Sequence, residues 1–324
     1  PTSHLHEYKP RCGKIFYGTA ESSSPNAIAR LDNNEQILLA CSDSGGKTAE
    51  QLEAAGVPLT RSQLQLLSHF RLLRQEGRTF RTAFPLLDEK RTARLREQMK
   101  RAAAAAAPQL RELVLALKSA LREIGREGNT YTILFSYVVD GMAWDRFADK
   151  GHPTRGSKDD RLWSGVFWML CPPRGFRSGT NSLSKGNTTF KLHWSDAARR
   201  QLRPFLSNWG LTRRMALEII DQGKVTSPDL RKAYAPYGIF DRSGRSLLPV
   251  IEERPENLLF AASTKLSRRV VELFLQQVDL DRLARKLALP DGQHALVIGY
   301  HEWMWELVDR LEREGLIRRP ALFK

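Results

Sequence analysis

The 324-residue chain is 41% hydrophobic and carries 51 Lys and Arg against 36 Asp and Glu, a net charge of +15. This composition excludes wholesale disorder, and no apolar run reaches the roughly 18 to 20 residues that a membrane-spanning helix needs. The three cysteines, Cys12, Cys41 and Cys171, lie far apart, so we expect neither a disulfide framework nor a metal site. That usage favours a reducing compartment, and we predict a cytoplasmic protein of two or three domains.

The basic residues are concentrated in one part of the chain. Residues 61–126 contain 15 Lys and Arg and six Asp and Glu, so this segment carries +9 of the net +15. A concentrated positive charge favours a polyanionic partner. We therefore expect duplex DNA, or another polyanion, to bind there.

Residues up to 87 are predicted to form an extended arm, three helices and a hairpin. Residues 1–33 contain Ser, Pro and Asn and show little periodicity, which predicts the arm. Thr48 and Thr60 are good N-cap residues, and a basic, alternating stretch typical of a hairpin follows Gly77. The predicted core side of the longest helix comprises Leu66, Leu67, Phe70 and Leu73. The helices are predicted over 34–41, 48–55 and 60–75.

The stretch TAEQLEAAGVPLTRSQLQLLSHFRLLRQEGRTFRTAFPLL resembles winged helix-turn-helix domains of the arsenic-repressor and multiple-drug-resistance-regulator types. The resemblance covers about residues 34–87. It implies that the third helix lies in the major groove of DNA and that a wing follows the Gly-containing turn. The sequence departs from the usual pattern at Arg78 and Thr79, where most such domains carry an aliphatic pair.

The outward face of the third helix carries side chains suited to DNA. Arg pairs with guanine edges and Gln with adenine edges in the major groove, and Arg on a wing suits phosphates or the minor groove. The alternative is a winged-helix unit that contacts proteins, with its charges solvated. The predicted DNA-binding residues are Arg61, Gln65, Ser68, Arg71, Arg78 and Arg81.

The sequence Gly45-Gly46-Lys47-Thr48 permits a phosphate-binding loop as an alternative. A loop of the Walker type requires a glycine at position 41, where Cys41 stands, and Asp140 is the candidate magnesium-side acid. A nucleoside-triphosphatase sheet also needs strands alternating with helices, a pattern that this chain lacks. We therefore favour a turn followed by a helix N-cap at Thr48.

Residues 88–127 are predicted to form long, basic linking helices. Asp88 begins the first helix, and the alanine run at 102–107 has the highest helix propensity available. Because proline removes a backbone hydrogen bond, Pro108 is expected to kink or restart the helix.

Residues 128–200 are predicted to form a central mixed α/β region with a small sheet. Runs at 131–144, 162–171 and 188–194 are rich in β-branched and aromatic residues, which predicts buried strands separated by polar or Gly-rich loops. Their aromatic residues predict either an apolar ligand pocket or a plain core. The candidate pocket residues are Trp144, Trp163, Trp168, His193 and Trp194.

Residues 201–324 are predicted to form a helical domain, interrupted by a hairpin turn at Arg242-Ser243-Gly244. Segment 279–320 contains a helix, a turn, a longer helix and a Gly-containing end, which is typical of a second, degenerate winged helix. The alternative is a terminal helical hairpin that packs on the core through Trp303, Leu307 and Leu311.

Enzymatic chemistry is the other class of function that the central region permits. The spacing of its acids, histidines and cysteine does not demand a catalytic site. His301-Glu302 resembles half of a zinc-protease motif, but Trp305 stands where the second His is needed, so we predict no metal and no cofactor. The candidate acid–base or nucleophilic residues are Asp140, Asp145, His152, Asp159, Asp160, Cys171 and His193.

These patterns together predict a helix-rich α+β protein with an N-terminal winged helix, a central small sheet with aromatic strands and a helical C-terminal region. The favoured function is a DNA-binding, transcriptional-regulator-like protein with a central domain for a ligand or partner. The alternatives are a hydrolase-type enzyme with an accessory winged helix, and a phosphate-loop nucleotide binder. We expect no membrane association, and a small apolar ligand and a second copy of the chain are further candidate partners.

Overall fold

A computed structural model describes residues 11–20, 23–43, 45–152, 162–176, 178–195, 209–235 and 238–320. They form a helix-rich α+β protein with small sheets, as the sequence predicts. The α-helices are α1 Pro25–Ile28, α2 Asn34–Ala40, α3 Ala49–Ala54, α4 Arg61–His69, α5 Glu89–Glu123, α6 Thr130–Ile133, α7 Ala143–Asp149, α8 Trp209–Gln222, α9 Pro228–Tyr234, α10 Leu258–Gln277, α11 Leu280–Leu287 and α12 Gly292–Arg313. The strands are β1 Gly13–Ala20, β2 Lys47–Thr48, β3 Leu73–Glu76, β4 Thr79–Thr82, β5 Leu86–Leu87, β6 Trp163–Leu170, β7 Ser178–Lys185, β8 Thr188–Ser195 and β9 Val250–Glu252.

The described residues group into two compact units, each built from segments far apart in the sequence. The first unit comprises described residues of Pro1–Glu97, Pro153–Arg174 and Leu280–Tyr300. The second comprises those of Gln98–His152, Gly175–Asp279 and His301–Lys324. This grouping differs from the contiguous domains expected at 1–33, 34–87, 88–127, 128–200 and 201–324.

The first unit contains a sheet in which β6 lies between β1 and β5. β1 pairs antiparallel with β6 over its whole length, and β5 pairs with the end of β6 in parallel. The prediction of an extended arm is therefore wrong for the described residues before 34, which form a sheet strand followed by α1. Gly13 and Gly18 interrupt the alternation by which such a strand is recognised.

Cys12 and Cys171 form a disulfide between the start of β1 and the end of β6. The expectation of no disulfide is wrong because the antiparallel register brings together two residues that are 159 positions apart. Cys41 is free and buried, and this burial raises the pKa of its thiol to about 11. The cysteines therefore give no support to a reducing compartment.

Residues 34–82 of the first unit form three helices and a second small sheet. In chain order α2 is followed by β2, α3, α4 and the hairpin β3–β4, and the order within the sheet is β2–β4–β3. The predicted three helices and hairpin are therefore confirmed, with β2 as an addition. The buried side chains that these elements share include Ile37, Leu38, Leu52, Leu64, Leu67 and Leu72.

Reciprocal capping begins α3 and α4, as Thr48 and Thr60 predict. The Thr48 hydroxyl accepts from the Gln51 backbone N–H at 3.2 Å, and the Gln51 side chain accepts from the Thr48 N–H at 2.9 Å. A turn precedes this cap, since the Gly46 N–H donates to the Asp43 carbonyl at 3.0 Å. The prediction of a turn plus N-cap at Gly46-Lys47-Thr48 is confirmed.

α4 ends at His69, six residues before the predicted end at Gln75. Arg71 has φ 56°, a left-handed conformation that stops the helix, and Leu73 then begins β3. The apolar spacing of Leu66, Phe70 and Leu73 continues a helical pattern through this point. Because no Gly marks the helix end, the sequence lacks the usual stop signal.

α5 is one helix of 35 residues that runs through Pro108, so the predicted restart does not occur. At about 1.5 Å per residue it is roughly 50 Å long. Asp88 begins it as predicted, because its carboxylate accepts from the Arg91 backbone N–H at 2.8 Å. Ala106, Ala107 and Leu110 around the proline are buried, so packing compensates for the missing backbone donor.

In the second unit, residues 131–144 are helical, and the prediction of a strand there is wrong. α6 continues into a π-helix, Leu134–Met142, and then into α7. The side chains from Leu134 to Val139 are all buried, and the π-helix packs against α10. A run that is apolar on every side has no period that separates a helix from a strand.

The second unit also contains the sheet β7–β8–β9. β8 confirms the strand predicted at 188–194, and β6 confirms the one predicted at 162–171, although β6 belongs to the first unit. β7 occupies part of a predicted loop and pairs with the whole of β8. Its sequence, SGTNSLSK, is poor in strand-forming residues, so pairing with β8 overrides local propensity.

The C-terminal region follows the predicted helix, turn and longer helix as α11 and α12. The described residues after α12, 314–320, form no strand, so a wing is missing from the expected second winged helix. Trp303, Leu307 and Leu311 are fully buried, as the terminal-hairpin alternative requires. The predicted turn is also formed, since the Gly244 N–H donates to the Asp241 carbonyl at 2.9 Å.

Candidate nucleic-acid interface

α4 presents a polar face on the side away from its buried residues. Leu64 and Leu67 pack in the core, whereas Arg61, Gln65 and His69 are exposed. Positions four apart lie on the same side of a helix, so these three polar residues form one line along α4. The sequence analysis named Arg61 and Gln65 but missed His69, although the spacing of four from Gln65 marks it.

Two of the predicted DNA-binding residues lie off the exposed face. The expectation that Ser68 projects outward is wrong, because its hydroxyl oxygen is buried. Ser68 lies one turn after Leu64 and therefore on the core side of α4. Arg81 in β4 is only partly exposed, with its Nε enclosed, so it is less accessible than a residue at the hairpin tip.

The hairpin β3–β4 adds exposed cations beside α4. Arg71, Arg74 and Arg78 are exposed, and Gly77 forms the tip with φ 61°. Arg74 pairs with Glu76 at 2.8 Å and Arg78 with Glu50 at 3.4 Å. Exposed pairs of this kind contribute little free energy, so these guanidinium groups remain available to a phosphate. Arg74 was missed because the helix was predicted to extend to Gln75.

The five residues predicted to line an apolar ligand pocket are not brought together. Trp163 and Trp168 belong to the first unit, and Trp144 and His193 to the second. The side chain of Trp194 lies outside the described part of the chain. Trp168 and His193 are core residues, each at most 1% exposed. The prediction assumed adjacent strands at 131–144, 162–171 and 188–194, whereas residues 131–144 are helical.

A second group of polar residues lies where the π-helix faces β8. The Trp144 indole N–H donates to the Asp140 carboxylate at 3.5 Å, and the Tyr137 hydroxyl donates to Glu253 at 3.0 Å. The Lys191 ammonium lies 5.7 Å from the centre of the Tyr137 ring. Because residues 131–144 were predicted to form a strand, the sequence analysis did not predict that the π-helix lies next to Lys191.

Burial changes the acid–base behaviour of this group. It raises the pKa of Asp140 to about 7, although the polar groups of Thr180, the Trp144 N–H and the Lys191 charge act in the opposite direction. Burial also lowers the pKa of Lys191, while Glu253 and the nearby aspartates oppose that change. An acid that titrates near neutrality beside a lysine is a pair suited to proton transfer.

Of the other candidate catalytic residues, Asp145 is near enough for its charge to act on the pKa of Lys191. Cys171 is in the disulfide of the first unit, Asp145 is exposed, and Asp159 and Asp160 lie outside the described residues. His193 is stacked on Tyr131 and Phe135, with ring centres 5.6 and 4.6 Å away. Its burial lowers the pKa to about 3, so the imidazole is a neutral core group at physiological pH.

Comparison of the chain with models of known families, with curated proteins and with solved structures finds no match. The described helices include none that is both long enough and apolar enough to cross a membrane. Within the described ranges, His, Cys, Asp and Glu nowhere form a group of three that is able to hold a metal ion. The arrangement of α4 and the hairpin is therefore the main basis for a function.

Proposed function

We propose that this protein is a DNA-binding, transcriptional-regulator-like protein that contacts duplex DNA through α4 and the β3–β4 hairpin. One observation carries the proposal. The order α2–β2–α3–α4–β3–β4, with the sheet order β2–β4–β3, holds Arg61 and Gln65 on the exposed side of α4, beside a basic hairpin. This is the order of elements that the resemblance to winged helix-turn-helix domains implies.

The dimensions and chemistry of this surface suit a duplex. The major groove is about 12 Å wide and admits one α-helix. Arg61 and Gln65 are then placed to read guanine and adenine edges. Arg74 and Arg78 on the hairpin supply phosphate contacts, which position the protein without reading sequence.

A titration with duplex DNA at two salt concentrations tests the proposal. Each phosphate contact contributes about −0.9 to the slope of log affinity against log salt, so four to six contacts give a slope of roughly −4 to −5. A protein that does not bind duplex DNA at about 50 mM salt, where electrostatic attraction is strong, is not this regulator. The basic surface then serves an acidic protein partner.

We also propose a cytoplasmic location and a second copy of the chain as a partner. A cytoplasmic location loses its argument from cysteine content, since Cys12 and Cys171 pair. A second copy of the chain as partner is testable by the mass of the protein in solution. If the protein is a dimer, its preferred DNA site has two half-sites related by symmetry.

A second candidate function is acid–base catalysis of hydrolysis at Asp140 and Lys191. It is favoured by the neutral-range pKa of Asp140, at about 7, beside a partly buried lysine. Above that pH the Asp140 carboxylate accepts a proton from the water that attacks an ester carbonyl. Hydrolysis of p-nitrophenyl acetate that rises with a midpoint near pH 7 and is lost in Asp140→Asn supports this function. A rate that is equal in wild type and Asp140→Asn excludes it.

A further inference from the structure

A cleft in the first unit lies beside the end of α4 and shares Arg71 and Arg74 with the exposed hairpin surface described above. It has a volume of about 500 Å³, within the range of pockets that hold small molecules. Its walls come from four places in the chain: the start of β3, the residue after β4, the start of β6 and the first turn of α12. The side chains in its lining include those of Arg71, Arg74, Trp163, Gln293 and His294.

The lining of the cleft carries two arginines, of which Arg74 pairs with Glu76 at 2.8 Å. None of the described residues that line it is acidic, and Arg71 and Arg74 both contribute to its wall. An adjoining cleft of about 300 Å³ shares Arg74 and Ala83 with it, adds Arg91, and likewise has no acidic residue in its described lining. Concave surfaces lined by one sign of charge concentrate counter-ions, so the pair of clefts favours an anion.

One wall is an aromatic ring held in a fixed orientation. The Trp163 indole N–H donates to the Phe70 carbonyl oxygen at 2.7 Å. The Phe16 ring meets the same indole edge-on, with centres 5.8 Å apart and planes at 88°. Trp163 nevertheless remains partly exposed. An oriented and partly exposed indole offers a face on which a planar heterocycle stacks.

The floor of the cleft is formed by residues of β6. Ser164, Gly165 and Val166 of β6 line it, and β5 pairs with β6 only at Met169 and Leu170. Gly165 has φ 125°, and a Cβ there would lie 2.1 Å from the Tyr17 carbonyl oxygen of β1. The close approach of the two strands therefore requires glycine, and it leaves the floor without a side chain at this position.

We propose that this cleft binds a nucleotide, with the base stacked on Trp163 and the phosphate held by Arg71 and Arg74. Arginine forks match phosphate oxygens in two-point hydrogen bonds, and the amide of Gln293 and the ring of His294 supply polar groups for the base or sugar. The same chemistry comes from two sources. One is a free nucleoside monophosphate. The other is an unpaired nucleotide at the end of a DNA duplex bound by α4, which rests on the proposed function.

The first arm of the test measures adenosine 5′-monophosphate binding to the full chain by calorimetry. Arg71→Asn and Arg74→Gln should each weaken it by at least about tenfold, since a charge-assisted contact is lost. Asn suits the left-handed backbone of Arg71, where φ is 56°. Arg78→Gln, on the same hairpin but outside the cleft, is the matched control and should leave affinity unchanged. Equal losses in all three variants overturn the proposal.

A pair of substitutions isolates the aromatic wall. Trp163→Phe keeps a ring and Trp163→Leu removes it, and both lose the hydrogen bond to Phe70. If the base stacks on residue 163, the Leu variant should bind adenosine 5′-monophosphate several-fold more weakly than the Phe variant. Equal melting temperatures of the two variants show that the difference in affinity does not come from unfolding. If the two variants bind equally, no base stacks on this residue and the assignment is wrong.

The second arm distinguishes the two sources. Duplexes with a three-nucleotide overhang and with blunt ends are compared in the wild type and in Arg71→Asn. If the wild type binds the overhang duplex more tightly than the blunt one and Arg71→Asn abolishes this preference, the cleft binds a DNA end. If the protein binds the monophosphate but shows no preference for the overhang, the cleft binds a free nucleotide. Monophosphate binding without any duplex binding keeps this inference and removes the proposed function. Absence of both monophosphate binding and overhang preference overturns the inference.

Discussion

Thr60 and Gln63 cap each other at the start of α4. The Thr60 hydroxyl accepts from the Gln63 backbone N–H at 3.2 Å, and the Gln63 side chain accepts from the Thr60 N–H at 2.9 Å. The Gln63 amide also donates to Asn33 at 2.8 Å, just before α2. This capping pair therefore fixes both the first turn of α4 and its position relative to α2, and with them the direction of Arg61 and Gln65.

Thr60→Ala tests how much this cap contributes. Loss of an N-cap hydroxyl costs about 0.5 to 2 kcal/mol of stability, so the midpoint of urea denaturation should fall. Ser62→Ala, an exposed position in the same turn that is not the N-cap, is the control and should change the midpoint little. Equal midpoints for Thr60→Ala and the wild type would show that the capping pair is not what holds the start of α4.

Gln65→Ala and Arg78→Ala separate base reading from phosphate anchoring. Gln65 lies on the outward side of α4, so its loss should cost roughly 1 to 3 kcal/mol at one preferred base and little on other sequences. Arg78 lies at the exposed hairpin tip, so its loss should weaken all sequences about equally. Binding to a randomised set of duplexes, sequenced before and after selection, measures both. If both substitutions weaken binding to all sequences equally, α4 does not lie in the major groove.

Lys47→Ala tests the phosphate-loop alternative directly. Lys47 is in β2 opposite Phe80, and its ammonium lies 3.8 Å from Asp43 in the preceding turn, so its interactions are structural. We expect any effect of ATP on the melting temperature to be the same in Lys47→Ala as in the wild type, and Lys47→Ala to retain DNA binding. ATP-dependent stabilisation that disappears in Lys47→Ala would contradict the turn-and-cap assignment.

The parts of the fold that local chemistry determines were predictable from the sequence. Thr48 and Thr60 cap helices through residues three positions on, and Gly77 supplies a left-handed turn at the hairpin tip. These features involve neighbours in the chain and standard backbone preferences. The exposed positions of Arg61 and Gln65 followed from the same helical spacing.

The parts that depend on distant contacts were not predictable. The side chains from Leu134 to Val139 are all buried, so the run shows no helical period and only its packing against α10 reveals a helix. The disulfide between Cys12 and Cys171 depends on the register of β1 on β6. The cleft likewise combines Arg71 and Trp163 with a residue of α12, and no sequence pattern relates positions so far apart.

The pH dependence of stability tests the buried environment of Asp140. Burial raises its pKa from 3.8 to about 7 in the folded protein. Between these two values the unfolded chain releases the proton while the folded protein keeps it, so this residue lowers stability as pH rises from about 4 to about 7. Well above pH 7 Asp140 is ionised in both states, so the loss of stability no longer changes with pH. A shift of one unit corresponds to about 1.4 kcal/mol, which sets an upper bound of roughly 4 kcal/mol.

Asp140→Asn keeps an acceptor for the Trp144 indole and removes the ionisable group. Relative to the wild type, it should therefore be more stable at pH 8 than at pH 4, as measured by urea denaturation at both pH values. Asp145→Asn, which removes an exposed carboxylate on the next turn of the helix, is the matched control. If the stability difference between Asp140→Asn and the wild type is the same at both pH values, Asp140 ionises as an ordinary surface carboxylate. The proton-transfer pair with Lys191 then has no basis, and nucleic-acid binding is the one proposed function left.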